Sequence, residues 1–165
     1  MQRREFFKVS AALFTIPTAW AEQAAKPDWR PSILDEHQNE TVIVLTDLII
    51  PATDTPGAKA ARVNRYIDLL LRDGDREPRE KFLAGLNWLD GLAISKHGHP
   101  FVHCTGDRQV AMLKTLNDGG GPEQEFFEQI KGLTTRIYYN TEIGYRELNK
   151  GGRVPASFGC QHEHA

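Results

Sequence analysis

Five of the six histidines and both cysteines are gathered in two short stretches. His97, His99 and His103 are followed directly by Cys104, and Cys160, His162 and His164 lie near the C-terminus. Folding the second stretch onto the first would bring five imidazoles together, more than a zinc or copper ion requires. The spacing matches no established ligand pattern, and loose clusters of this kind are more often two solvated, histidine-rich loops. We assign no metal and keep His97, His99, His103, His162 and His164 as secondary candidates. Cys104 and Cys160 are the two cysteines of the chain. In an oxidising compartment they form a candidate disulfide stapling the tail to the body, worth about 4 kcal/mol on the chain-entropy estimate. A bond from one of them to a partner chain is the alternative.

Other catalytic patterns are missing from the sequence. The Gly119–Gly121 cluster lacks the Lys-Ser/Thr of a phosphate-binding loop, and no Gly-x-Gly-x-x-Gly follows a strand. There is no Cys-x-x-Cys-His for covalent haem, no Gly-x-Ser-x-Gly elbow and no His-Glu-x-x-His helix. The carboxylates Asp73 and Asp75, and Glu123, Glu125 and Glu128, fall at expected helix ends and read as caps and solvated faces. No residue is therefore assigned a catalytic or cofactor-binding role.

The N-terminus carries an address instead. Arg3, Arg4, Phe6 and Lys8 form an Arg-Arg-x-Phe-x-Lys pattern, followed by a short apolar stretch from Val9 to Ile16. Pro17 breaks that stretch, and Ala19-Trp20-Ala21 offers a small-x-small cleavage site. A charged start, an apolar middle and a small-residue exit are the parts of an export signal, here resembling the twin-arginine type; an amphipathic first helix of the mature domain is the alternative, disfavoured because the apolar stretch shows no polar helical face. That route carries proteins already folded, so the chain either holds a cofactor or escorts a partner that does. The expected compartment is the periplasm.

The elements behind these residues read as helices. The chain has 165 residues, net charge -2, 40% hydrophobic and 25% charged residues, which suits one soluble domain and argues against a nucleic-acid partner. No apolar run reaches the roughly 18 residues of a membrane span. Residues 1–21 are the signal, 22–38 a linker, 39–150 the helical domain and 151–165 an irregular tail. Apolar periodicity predicts helices over 35–50, 59–72, 77–95, 107–117 and 122–150. The β-branched run Thr41-Val42-Ile43-Val44 could also form a strand. The second helix is expected to bury Val63, Ile67, Leu70, Tyr66 and Leu71, and the third a stripe of Phe82, Leu86, Leu89 and Ala93. Asp107 is expected to cap the fourth, and Gly144 to mark close packing or a bend in the fifth. Five helices with short loops give an all-α bundle.

Between the first two helices lies Pro51-Ala52-Thr53-Asp54-Thr55-Pro56-Gly57-Ala58, dense in turn formers. Pro56-Gly57 fits the centre of a type II turn, and Asp54 and Thr55 could bond free N–H groups at a helix start. Such rigid loops often carry function, so Asp54, Thr55, Pro56 and Gly57 are partner-contact candidates; orientation of the two helices is the plainer alternative. Tyr138 and Tyr139 point to different sides of one helix, so an exposed member of the pair is a further anchor candidate, against the alternative of a wide core seam.

Three stretches together resemble the gluconate 2-dehydrogenase subunit 3 family, the small subunits of bacterial membrane-associated sugar and alcohol dehydrogenases. They are the leader, Leu45 to Ala58, and Tyr138-Tyr139-Asn140-Thr141-Glu142-Ile143-Gly144-Tyr145-Arg146-Glu147-Leu148. The resemblance implies a non-catalytic subunit that carries no cofactor. Its catalytic partner is a large FAD-containing flavoprotein of the glucose-methanol-choline type, and a multihaem cytochrome c often serves as a third subunit. It also implies that the small subunit supplies the signal read by the twin-arginine translocase and acts as a chaperone-like escort. The complex is then periplasmic and membrane-associated through its partners. The alternative is a free-standing periplasmic binding or metal-dependent protein using the histidine-rich loop and tail.

Overall fold

The computed structural model describes residues 29–149. The first helix, α1 (Glu36–Ile49), opens on a reciprocal cap. An Asp35 carboxylate oxygen accepts from the Gln38 amide at 2.7 Å, and the Gln38 side-chain oxygen accepts from the Asp35 amide at 3.1 Å. Two of the free donors at the helix start are thereby satisfied. The run Thr41 to Val44 is helical, with Thr41 and Val42 buried. The remaining elements are α2 (Val63–Asp73), α3 (Arg76–His97), a single 3-10 turn at Phe101–His103, α4 (Gly106–Gly119), α5 (Pro122–Tyr139) and α6 (Glu142–Asn149). No strand occurs among the described residues, and the fold is an all-α bundle. All six helices belong to the unit that begins at Pro31.

The helix α5 is the hub, packing against each of the other five. Its buried face presents Phe126, Ile130, Thr134, Ile137 and Tyr138. The stripe expected on α3, Phe82, Leu86, Leu89 and Ala93, is the buried set of that helix. Phe82 meets Phe126 edge to face at a centroid distance of 5.7 Å, a favoured aromatic geometry. Val42 and Leu45 of α1, Ile67 of α2 and Met112 and Leu116 of α4 complete the core.

Five expectations are corrected. The fifth helix is two helices, so the bundle has six, and the bend falls at Asn140-Thr141 and not at Gly144. The Thr141 hydroxyl donates to the Tyr138 carbonyl at 2.6 Å and accepts from the Gly144 amide at 3.2 Å. This local bonding ends one helix and starts the next, as short hydroxyl side chains do when they compete with the backbone ladder. Gly144 is the close-packing point, because a Cβ there would stand 2.2 Å from the Tyr138 carbonyl oxygen.

The helix α2 begins at Val63 and not near residue 59, because Arg62 sits in the left-handed region at φ 55°. Its buried face is Val63, Asn64, Ile67, Asp68 and Leu71, while Tyr66 and Leu70 face solvent. Two polar residues thus take places expected of apolar ones. Each has a partner: the Asn64 amide nitrogen donates to Asn39 Oδ1 at 2.8 Å, and Asp68 accepts from three backbone amides. At α4 the cap position is Thr105, and Asp107 lies in the first turn, where its charge suits the positive helix end.

Candidate functional site

The loop Pro51–Ala58 is closed by an Ala58 amide bond to the Ile50 carbonyl at 2.9 Å. Gly57 is not at positive φ, so the expected type II turn does not form. Glycine is required there for space: a Cβ would stand 2.5 Å from the Ala52 nitrogen and 2.6 Å from the Ile50 oxygen. Asp54 and Thr55 cap no helix. Asp54 accepts from the Thr53 hydroxyl at 2.9 Å, and the Thr55 carbonyl accepts from the Thr53 amide at 3.0 Å. Asp54 and Pro56 are exposed, Thr55 is half-buried and Gly57 is buried.

Tyr138, at the end of α5, fixes this loop to the rest of the bundle. Its hydroxyl lies 2.7 Å from the Pro56 carbonyl oxygen and 2.5 Å from Glu147 Oε2 on α6. One phenolic proton therefore serves two acceptors. The ring is completely buried, and Tyr139 meets it edge to face at 5.1 Å. Burial, followed by the hydrogen bond and the charge of Glu147, pushes the Tyr138 phenol up to about 12, against the opposing hydrogen bond from Thr55. So high a value makes Tyr138 a poor proton donor near neutrality and suits it to a structural post. Neither tyrosine is the exposed anchor that the sequence suggested, since Tyr138 is core and Tyr139 is half-buried against it.

Two carboxylates missed in the sequence organise the backbone nearby. Asp68 accepts from the amides of Ser32, Ile33 and Leu34 at 2.8, 2.9 and 3.0 Å, holding the arm that leads into α1. Asp90 accepts from the Phe101 amide at 2.9 Å and lies 2.5 Å from His37 Nε2. The Phe101 carbonyl accepts from the buried Gln109 side-chain amide at 2.9 Å, so Phe101, which opens the turn after α3, is held through both its N–H and its C=O. One signal in the sequence pointed to Asp68: an acid directly after the buried Ile67, inside the apolar stripe of an amphipathic helix.

The metal candidates do not assemble where they can be followed. Among the described residues, no three His, Cys, Asp or Glu side chains come close enough to hold an ion. His97 ends α3, His99 follows it and His103 closes the short turn. The Cys104 thiol is buried, 3.6 Å from the Pro100 carbonyl and 3.8 Å from that of His99. Cys160, His162 and His164 lie outside the described residues, as do Arg3, Arg4, Phe6, Lys8, Ala19 and Ala21 of the leader.

Three shallow apolar grooves stand out among the described residues; a groove of about 320 Å³ is lined by Leu48, Ile49, Val110, Leu113, Lys114 and Phe127, and two others lie elsewhere. One, of about 390 Å³, lies between α3 and the start of α5 and includes Trp88, Gly85 and Phe126. The other, of about 220 Å³, lies between α2 and the end of α5 and includes Tyr66, Leu69, Leu70, Arg136 and Ile137. Among the described residues, no helix is long and apolar enough to cross a membrane. What these elements do is hold shape: a rigid loop, a tyrosine post and a helical elbow, with apolar surface left outside.

No curated protein and no solved structure matches the chain. The family model described as gluconate 2-dehydrogenase subunit 3 matches residues 36–152, which spans all six helices and both segments joined through Tyr138. The chain belongs to the gluconate 2-dehydrogenase subunit 3 family.

Proposed function

We propose that this chain is the non-catalytic small subunit of an FAD-dependent sugar or alcohol dehydrogenase complex of the gluconate 2-dehydrogenase type. It binds the large flavoprotein subunit in the cytoplasm and supplies the twin-arginine signal through Arg3 and Arg4. After cleavage behind Ala21 it stays bound as a stabiliser in the periplasm. FAD resides on the large subunit, and a cytochrome c subunit, where present, carries electrons away from it.

The observation that carries this reading is the family match along the whole helical body. Two further features support it. The leader is of the kind used for folded cargo. The bundle presents exposed apolar side chains, including Tyr66, Leu70, Trp88 and Ile94, beyond what its own core requires.

The test is purification of the tagged full chain from cells that express it with its native operon. The expected result is a stoichiometric complex with a large subunit that shows a flavin absorbance spectrum. A chain that purifies alone, without flavin and without a large subunit, would overturn the reading. Turnover by the isolated chain with its own bound group or metal would favour a free-standing periplasmic enzyme instead.

A further inference from the structure

The chain enters its folded body through an arm, and the arm is fastened before the first helix begins. The compact unit of the chain starts at Pro31. Directly after it, the amides of Ser32, Ile33 and Leu34 donate in succession to the Asp68 carboxylate at 2.8, 2.9 and 3.0 Å. Backbone N–H bonds to a carboxylate are among the stronger hydrogen bonds. Asp68 is 2% exposed and Leu34 3%, so water does not compete freely for this fastening.

The acceptor lies 34 to 36 positions further along the chain, on α2. The fastening therefore forms only when α2 is in place. One turn earlier on the same buried face, Asn64 donates to Asn39 of α1 at 2.8 Å, so α2 holds both the arm and the helix that follows it. In turn α2 packs on α5, the hub of the bundle. The α1 cap itself is less protected: Asp35 is exposed, and its two bonds with Gln38 are open to solvent. A pull along the arm meets three carboxylate bonds and the buried Leu34 before it reaches that cap. Without them the pull falls on bonds that water can replace, and helices open from such ends.

Resting on the reading as a subunit exported on its own leader, we propose that Asp68 is the anchor through which the leader draws the folded body. The carboxylate takes the pull at Ser32 to Leu34 and passes it to α2 and the hub, so that α1 is not peeled from the bundle during export. Because the anchor needs α2 in place, it also ties the leader to a body that has already folded.

The test follows the full chain, expressed from its native operon, by cell fractionation and detection of the processed form. Asp68→Ala is compared with a core variant of matched stability, Phe82→Leu or Phe82→Ala, whichever has the nearer urea midpoint. Phe82 packs on Phe126, and its replacement leaves the three bonds of Asp68 in place. Forced opening follows the unfolding barrier along the pull, which a urea midpoint does not report. The expected result is several-fold less processed chain in the periplasm for Asp68→Ala than for the matched variant. Equal export of the two overturns the anchor and leaves Asp68 a contributor to overall stability alone. If Asp68→Ala fails to fold, Asp68→Asn decides against its own matched variant; it retains Oδ1, the acceptor for Ile33 and Leu34, and its export should fall less but in the same direction. If the unsubstituted chain is not exported, or is exported equally with Arg3 and Arg4 replaced by Lys, the reading as an exported subunit itself fails, which separates that outcome from failure of the anchor alone.

Discussion

The Tyr138 hydroxyl reaches the Pro56 carbonyl at 2.7 Å across 82 positions of sequence, and the same oxygen lies 2.5 Å from Glu147 Oε2. A single side chain thus ties the Pro51–Ala58 loop, the end of α5 and the α6 helix together. Tyr138→Phe removes the hydroxyl and leaves both acceptors without their donor. The expected cost is about 1–2 kcal/mol in a urea unfolding experiment, in the range for loss of one hydrogen bond with a buried partner. An unchanged midpoint would contradict the post role.

The same residue gives the chain an alkaline sensitivity. In the unfolded chain the phenol ionises near its ordinary value of 10.0, and in the folded chain near about 12. Between these values the native state still holds a proton that the unfolded state has released, so stability falls as pH rises through that window. Below the lower value the contribution is fully present. Thermal unfolding measured from pH 9 upward should show this decline, and Tyr138→Phe should flatten it relative to the unsubstituted chain.

Gly57 is needed for the space beside Ile50 and Ala52 and not for a special backbone angle. Gly57→Ala should therefore destabilise by about 1–3 kcal/mol, the usual penalty for forcing atoms into a packed site. Gly57→Val should cost more and lower the yield of folded protein. Loss of partner binding with stability intact would instead make the loop a contact surface.

Asp68 neutralises three backbone donors at once, those of Ser32, Ile33 and Leu34. Asp68→Ala strands all three, with Leu34 almost fully buried. The expected loss is about 3 kcal/mol or more, since charged hydrogen-bonding groups and unsatisfied buried donors are both expensive. Asp68→Asn retains Oδ1, which takes two of the three, and should cost less. Hydrogen exchange at the amides of Ser32 to Leu34 should rise in the alanine variant and only slightly in the asparagine variant.

Much of the fold is legible in the chain. The α3 stripe of Phe82, Leu86, Leu89 and Ala93 follows the 3.6-residue period, and all four are buried. The face of α2 is less legible, because Asn64 and Asp68 occupy buried positions that hydropathy gives to Tyr66 and Leu70. Their burial depends on partners at Asn39 and Ser32 to Leu34, distant in sequence. The elbow at Asn140-Thr141 is hidden for another reason: apolar spacing continues across it, while the break comes from side-chain bonds of Thr141. For the site, the sequence singled out the Pro51–Ala58 loop and Tyr138 as separate features. Their joining through one hydroxyl, and the exposed groove beside Arg136, required three dimensions.

The central claim is that this helical subunit carries a flavoprotein out of the cytoplasm on its own signal. Replacing Arg3 and Arg4 by Lys and locating the flavin-containing subunit by cell fractionation tests it most directly. If the proposal holds, the flavin subunit is expected in the periplasmic fraction with the unsubstituted chain and is retained in the cytoplasm, together with the unprocessed small chain, when Arg3 and Arg4 are replaced. Normal arrival of the flavin subunit in the periplasm would contradict it.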